Sequence, residues 1–208
     1  MKKYTIGSLL TNTYLVDSPN SKDCFLVDPS LDLLKVLEEI KEYNIQFILL
    51  THGHVDHIDG IRYFNSPIYL HEKEVPFLTD DSLSLYKMFH MKSNFPPLDL
   101  HIVHDGDEIN FNDEKIKVLH TPGHTCGSVC YLYKNKLFSG DTLFEQGCGR
   151  TDFPTGNEKM MNESLVKIID NLDDNITVYP GHGNKTSIKD EKKNNMYYLL
   201  AKKRSTNK

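Results

Sequence analysis

The chain has 208 residues and a net charge of −5, and 38% of it is hydrophobic and 25% charged. That length suffices for one large domain with a sizeable core, and the negative balance gives no broad electrostatic basis for binding nucleic acid or an anionic membrane surface. No apolar run approaches the ~20 residues that span a bilayer, no apolar core of a signal peptide follows Met1-Lys2-Lys3, and Cys24, Cys126, Cys130 and Cys148 show no CxxC and read as thiols in a reducing cytoplasm.

The opening is β-rich. Residues 11–18 (TNTYLVDS) and 23–28 (DCFLVD) alternate or run apolar between turn signals. Leu31, Leu34, Val36, Leu37 and Ile40 recur at roughly helical spacing, which predicts a helix over 31–43 with Ser30 as its N-cap. Residues 45–51 (IQFILLT) read as a short strand buried on both faces. A helix is expected from Ile58 to Phe64 and a strand over 67–71. Residues 72–100 are expected to hold one or two short helices that end at Pro96-Pro97. Strands follow near 108–111, 115–120, 128–133 and 136–140, then a helix at 157–171, a strand at 175–179 and a last helix near 189–203. With no repeat, linker or boundary, a single domain over 1–208 is the economical reading.

Residues 51–57 read THGHVDH and follow the apolar strand directly. If the extended path continues past Thr51, then His52, His54 and Asp56 point to one side. Gly53 lets the backbone pack closely or bend, and His57 opens the next helix. Nitrogen and oxygen donors without thiolate suit Zn²⁺, and also Fe or Mn. A lone His-x-His reads sooner as a surface turn than as a metal site, so further donors are needed. The chain supplies His124 in TPGHTCGS, Asp141 in FSGDT and His182 in YPGHG. Each sits at a strand end beside a glycine, where a rigid sheet presents side chains.

This series, HxHxDH then His, Asp and His, resembles the metallo-β-lactamase superfamily over nearly the whole chain. The resemblance implies an α+β fold, an αβ/βα four-layer sandwich of two mixed β-sheets with helices on the outside. It implies two divalent metal ions, Zn²⁺ first and Fe or Mn as alternatives. His52, His54 and His124 would hold one and Asp56, His57 and His182 the other, with Asp141 bridging. Asp28 in LVDPS matches an aspartate that supports the metal loop. GCGRTDFPTG at 147–156 and YPGHGNKTSI at 179–188 resemble the small glyoxalase II-like hydrolases, without the added C-terminal helical domain that grips glutathione.

The expected activity is therefore hydrolysis of a small-molecule thioester or ester, in the manner of a hydroxyacylglutathione hydrolase, by a hydroxide shared between the two metals. Asp56 doubles as the carboxylate that orients the water or moves its proton. The alternatives are a persulfide dioxygenase with one iron and a metal-binding interaction module without turnover. PGHG at 180–183 favours the hydrolase. Asp59 is open between supporting a ligand histidine and stabilising its own helix N-terminus. Arg150 and Asp152 read as a pair that pins their loop, and otherwise Arg150 faces an anionic substrate. His71, His90, His101, His104 and His120 read as packed or solvated. Tyr86, Met88 and Phe89, in the apolar segment 72–100, are candidates for a substrate pocket. Neither nucleic acid nor membrane is an expected partner, and the protein is expected as a cytoplasmic monomer or homodimer.

Overall fold

Within each sheet, strands that follow one another in the chain also pair with one another in space. The structure is a computed structural model that describes residues 1–19 and 21–206. Its described strands form two six-stranded sheets. One compact unit spans Met1–Val103 and a second begins at His104.

The first unit holds β1 (Lys2–Ile6), β2 (Thr11–Asp17), β3 (Asp23–Val27), β4 (Asn44–Leu49), β5 (Ile68–His71) and β6 (Leu100–Val103), in that order across the sheet. β1, β2 and β3 are antiparallel, whereas β3, β4, β5 and β6 run parallel. Parallel neighbours need crossovers. Helix α1 (Leu37–Ile40) lies in the β3–β4 crossover, and α2 (Val55–Ile58), prolonged by a 3-10 turn at Asp59–Tyr63, lies between β4 and β5. Phe47, Ile48, Leu49 and Leu50 are buried, as a central strand requires.

Three expectations are corrected here. The helix over 31–43 is a 3-10 turn at Leu33–Lys35 followed by the short α1, because Asp32 takes a left-handed backbone with φ 66°. Ser30 caps no helix. Its N–H donates to Thr13 Oγ1 at 3.0 Å and its hydroxyl accepts from Thr13 at 2.8 Å, which ties it to β2. The extended path after β4 ends at His54 (φ −74°, ψ 147°), and α2 starts at Val55, earlier than expected. Asp56 and His57 are thus helical.

The second unit holds β7 (Glu108–Phe111), β8 (Glu114–His120), β9 (Val129–Tyr133), β10 (Lys136–Gly140), β11 (Thr177–Pro180) and β12 (Thr186–Ser187). All its pairs are antiparallel except β10–β11, so both sheets are mixed. Helix α3 (Glu158–Asn171) makes the β10–β11 crossover and starts on Asn157, whose side chain accepts from Met160 N–H at 3.0 Å. Its Met161, Leu165, Ile168 and Ile169 pack with Leu137, Val178 and Ile188. Each such burial stabilises by about 1.5–3 kcal/mol. The expected last helix is two, α4 (Ile188–Asn194) and α5 (Met196–Thr206), broken at Asn195. No helix of the described residues is long and apolar enough to cross a membrane.

Candidate metal centre

The first unit gathers one group of donors at the C-terminal end of β4. Asp28, His52, His54, Asp56 and His57 are all buried. The His52 ring lies 4.9 Å from that of His54 and 4.1 Å from that of His57, centroid to centroid. Asp28, His52 and His57 each offer a ligand atom within 4.8 Å of the others. Asp28, however, is occupied by its neighbours. Its Oδ1 accepts Thr51 N–H at 2.8 Å, and its Oδ2 accepts the Thr51 hydroxyl at 2.6 Å and His57 Nδ1–H at 2.9 Å. Thr51 Oγ1 in turn lies 3.1 Å from His52 Nδ1. Since the Thr51 proton points to Asp28, its oxygen accepts from His52. One carboxylate thereby fixes the tautomer of two imidazoles and assigns Nε2 of each as the ligand nitrogen. Asp56 Oδ2 lies 3.4 Å from His57 Nε2 and accepts the Thr11 hydroxyl at 2.8 Å.

The local backbone explains the motif. Gly53 N–H donates to the buried Glu74 at 2.7 Å, and a Cβ on Gly53 would stand 2.4 Å from Phe77 Cβ. Only glycine fits between those two residues. Val55 N–H donates to Ser84 O at 2.8 Å, which anchors the start of α2.

The second unit gathers the other group. Asp141 Oδ2 lies 3.5 Å from Nε2 of His124 and 3.5 Å from Nε2 of His182. His124 Nδ1 donates to Arg150 O at 2.7 Å, so its Nε2 is the remaining ligand nitrogen. His124 sits in a turn closed by Thr121 N–H on Ser128 O at 2.8 Å, and Gly123 (φ 147°) lets that turn touch Met161 at the start of α3. Asp141 and His182 follow β10 and β11, and Gly181 N–H on Gly140 O at 2.8 Å joins the ends of those strands. Imidazoles and carboxylates that are buried, apart from the part-buried Asp141 and His182, with the outer nitrogens of His52, His57 and His124 held by hydroxyl, carboxylate and carbonyl acceptors, are a donor set that fits Zn²⁺, Fe or Mn.

Several expected roles change. Asp59 supports no ligand histidine; it accepts from Tyr86 OH at 2.8 Å and pairs with Arg62. Tyr86 is fully buried on that aspartate, so it is a core anchor and offers a substrate nothing. Burial and Asp59 together raise its phenol above the ordinary value. Met88 is 57% exposed and Phe89 half-buried, so those two keep accessible surface. Val75, Leu78, Phe95 and Leu98 line a cavity of about 550 Å³ in this segment, and Tyr86, Met88 and Phe89 stand outside its lining. Arg150 grips Asp152 through two 2.7 Å bonds and stacks on Phe153 at 4.1 Å, the loop-pinning arrangement. The Arg150 side chain holds Asp152 well below the usual carboxylate range, at about 2. His90, His101 and His104 are exposed, His71 is buried and caps a 3-10 turn, and His120 lies against Cys126 O. Sequence reasoning missed Thr11, Thr51 and Glu74. Only Thr51, inside the motif itself, carried a signal.

Known proteins share this frame. The chain is 31% identical to the probable polyketide biosynthesis zinc-dependent hydrolase PksB of Bacillus subtilis, over 91% of this chain and 82% of that one. Among solved structures it is similar to the BLEG-1 B3 metallo-beta-lactamase, with 31% identity, 95% and 98% of the two chains covered and a TM-score of 0.87. TTHA1623 in a di-iron-bound form shares 29% identity at a TM-score of 0.81, over 95% and 100% of the chains. Residues 6–182 match the Metallo-beta-lactamase superfamily as a sequence family, and the chain belongs to that superfamily of metallo-hydrolases.

Proposed function

We propose that this protein is a two-metal hydrolase that cleaves a small-molecule thioester or related ester, in the manner of a hydroxyacylglutathione hydrolase. His52, His54 and His124 would hold one ion, Asp56, His57 and His182 the other, and Asp141 would serve both. The observation that carries this reading is Asp141 Oδ2, equidistant at 3.5 Å from Nε2 of His124 and of His182, as a carboxylate shared by two ions requires. The zinc-dependent relative and the di-iron neighbour support Zn²⁺ or Fe in such a donor set.

When bound, the ions supply a nucleophile from water at neutral pH and polarise the scissile carbonyl. The chain's own residues do the rest. Asp56, held by the Thr11 hydroxyl, orients the water and takes its proton. Asp28 and the Arg150 carbonyl keep His52, His57 and His124 each in one tautomer, so those three rings are oriented before the reaction. Met88 and Phe89 supply apolar surface toward the acyl group. Four cysteines without a disulfide suit the reducing cytoplasm.

Metal analysis of protein purified without chelators, paired with an anaerobic panel of S-acyl thiols, tests the proposal. It expects about two ions per chain and hydrolysis without oxygen. Oxygen uptake dependent on glutathione persulfide, with every thioester left intact, would overturn it in favour of a dioxygenase.

A further inference from the structure

The loop from Asp141 to Arg150 carries a proposed ligand at one end and the carbonyl that orients His124 at the other. At Gly149 it folds back on itself: a Cβ there would stand 2.0 Å from Asp141 O and 3.1 Å from His124 Nδ1. The middle of the loop is held by two buried side chains that sit far along the chain. Glu191 on α4 is fully buried, and its Oε2 accepts Gln146 N–H at 2.9 Å and Asn195 Nδ2 at 2.8 Å. Its Oε1 accepts the Thr186 hydroxyl at 2.7 Å. Asn195, also fully buried, donates to Gly147 O at 3.0 Å, and its Oδ1 accepts Tyr198 N–H at 3.1 Å at the start of α5.

A buried carboxylate is costly unless every lone pair is used. Here it is spent on a main-chain N–H of the loop and on the amide that takes the next loop carbonyl. Tyr198 OH and Lys202 Nζ, the latter at 2.7 Å, both reach Asp170, so α5 is tied in turn to α3.

We propose that Glu191 and Asn195 are positioning residues: the α4–α5 junction sets the loop 141–150, and through it Asp141 and the ring of His124. This rests on the two-metal reading above. The pair touches no proposed ligand and acts through backbone alone.

The test uses cobalt(II) in place of the native metal, because its visible spectrum reports ligand geometry without any substrate. Asn195→Ser keeps an oxygen at the helix start but is too short to reach Gly147 O. Thr186→Val removes a bond to Glu191 Oε1 while sparing both loop contacts. The expected result is a shifted cobalt spectrum and about tenfold weaker metal binding for N195S, and a wild-type spectrum with wild-type affinity for T186V even if its melting point falls. Glu191→Leu, which keeps much of the volume and removes both acceptor oxygens, should behave like N195S and serves in its place if N195S does not fold. Wild-type affinity and spectrum in both N195S and E191L would overturn the clamp. Wild-type protein that takes up no cobalt would instead sink the two-metal reading.

Discussion

Asp28 Oδ2 receives both the Thr51 hydroxyl and His57 Nδ1–H, at 2.6 and 2.9 Å. A single carboxylate thus governs His57 directly and His52 through Thr51. The residue also holds a left-handed backbone at φ 49°, which asparagine tolerates better than alanine does. Asp28→Asn therefore tests the acceptor without disturbing the backbone. Metal affinity should fall 10- to 100-fold, measured by competition with a chromogenic chelator, with secondary structure unchanged by circular dichroism. Unaltered affinity would show that the imidazoles keep their orientation without it.

Gly53→Ala places a methyl group 2.4 Å from Phe77 Cβ. Overpacking of that kind costs about 1–3 kcal/mol. The urea midpoint should drop accordingly, and Gly53→Ala combined with Phe77→Ala should recover less than is lost, because Phe77 is itself core. A variant as stable as wild type would mean that the 3-10 turn at Glu72–Leu78 yields easily.

Tyr86→Phe removes the hydroxyl that bonds Asp59 and leaves that buried carboxylate to Arg62. Loss of a hydrogen bond to a charged group lowers stability by about 1–3 kcal/mol. Metal content should not change. A joint Met88→Ala and Phe89→Ala variant should do the opposite, raising KM with stability held. Calorimetry and steady-state kinetics on both variants separate the anchor from the surface.

Burial pushes the Cys24 thiol up to about 12 and those of Cys130 and Cys148 to about 11. A raised value leaves little thiolate at pH 8, and reaction with a disulfide reagent needs the thiolate. Cys126 and Cys148 are both partly exposed, but with Cys148 held up only Cys126 should react quickly in native protein, with all four thiols reacting after unfolding in guanidinium. Raising the pH toward 10 should accelerate Cys148 before Cys24. Two fast thiols at pH 8 would mean that the loop around Cys148 opens.

The donors were legible because they lie in short glycine-flanked strings whose residue types have few other uses. Five of the second-sheet strands and α3 were legible through their periodicity, whereas the two-residue β12 is too short to show one. What failed had nonlocal causes. Ser30 looked like a cap because it precedes an apolar run, yet its partner, Thr13, lies on β2. Asp59 stands beside the motif, but Tyr86, 27 positions later, claims it. Thr11 reaches Asp56 across 45 positions, and Gln146 reaches Glu191 across the same span. Such pairings leave no spacing in the chain to read.

In both sheets every strand's lateral neighbours are its predecessor and successor. No strand must wait for a distant one before its ladder can close. The first six can therefore zip up while the rest of the polypeptide is still on the ribosome, since domains fold as units from the N-terminus during synthesis. The hydrogen-bonded trio of Asp28, Thr51 and His57 belongs wholly to that early half. Half of the proposed metal cradle would then be standing before Asp141 and His182 are translated, and a nascent chain arrested near residue 140 should already protect its β2–β5 amides from exchange.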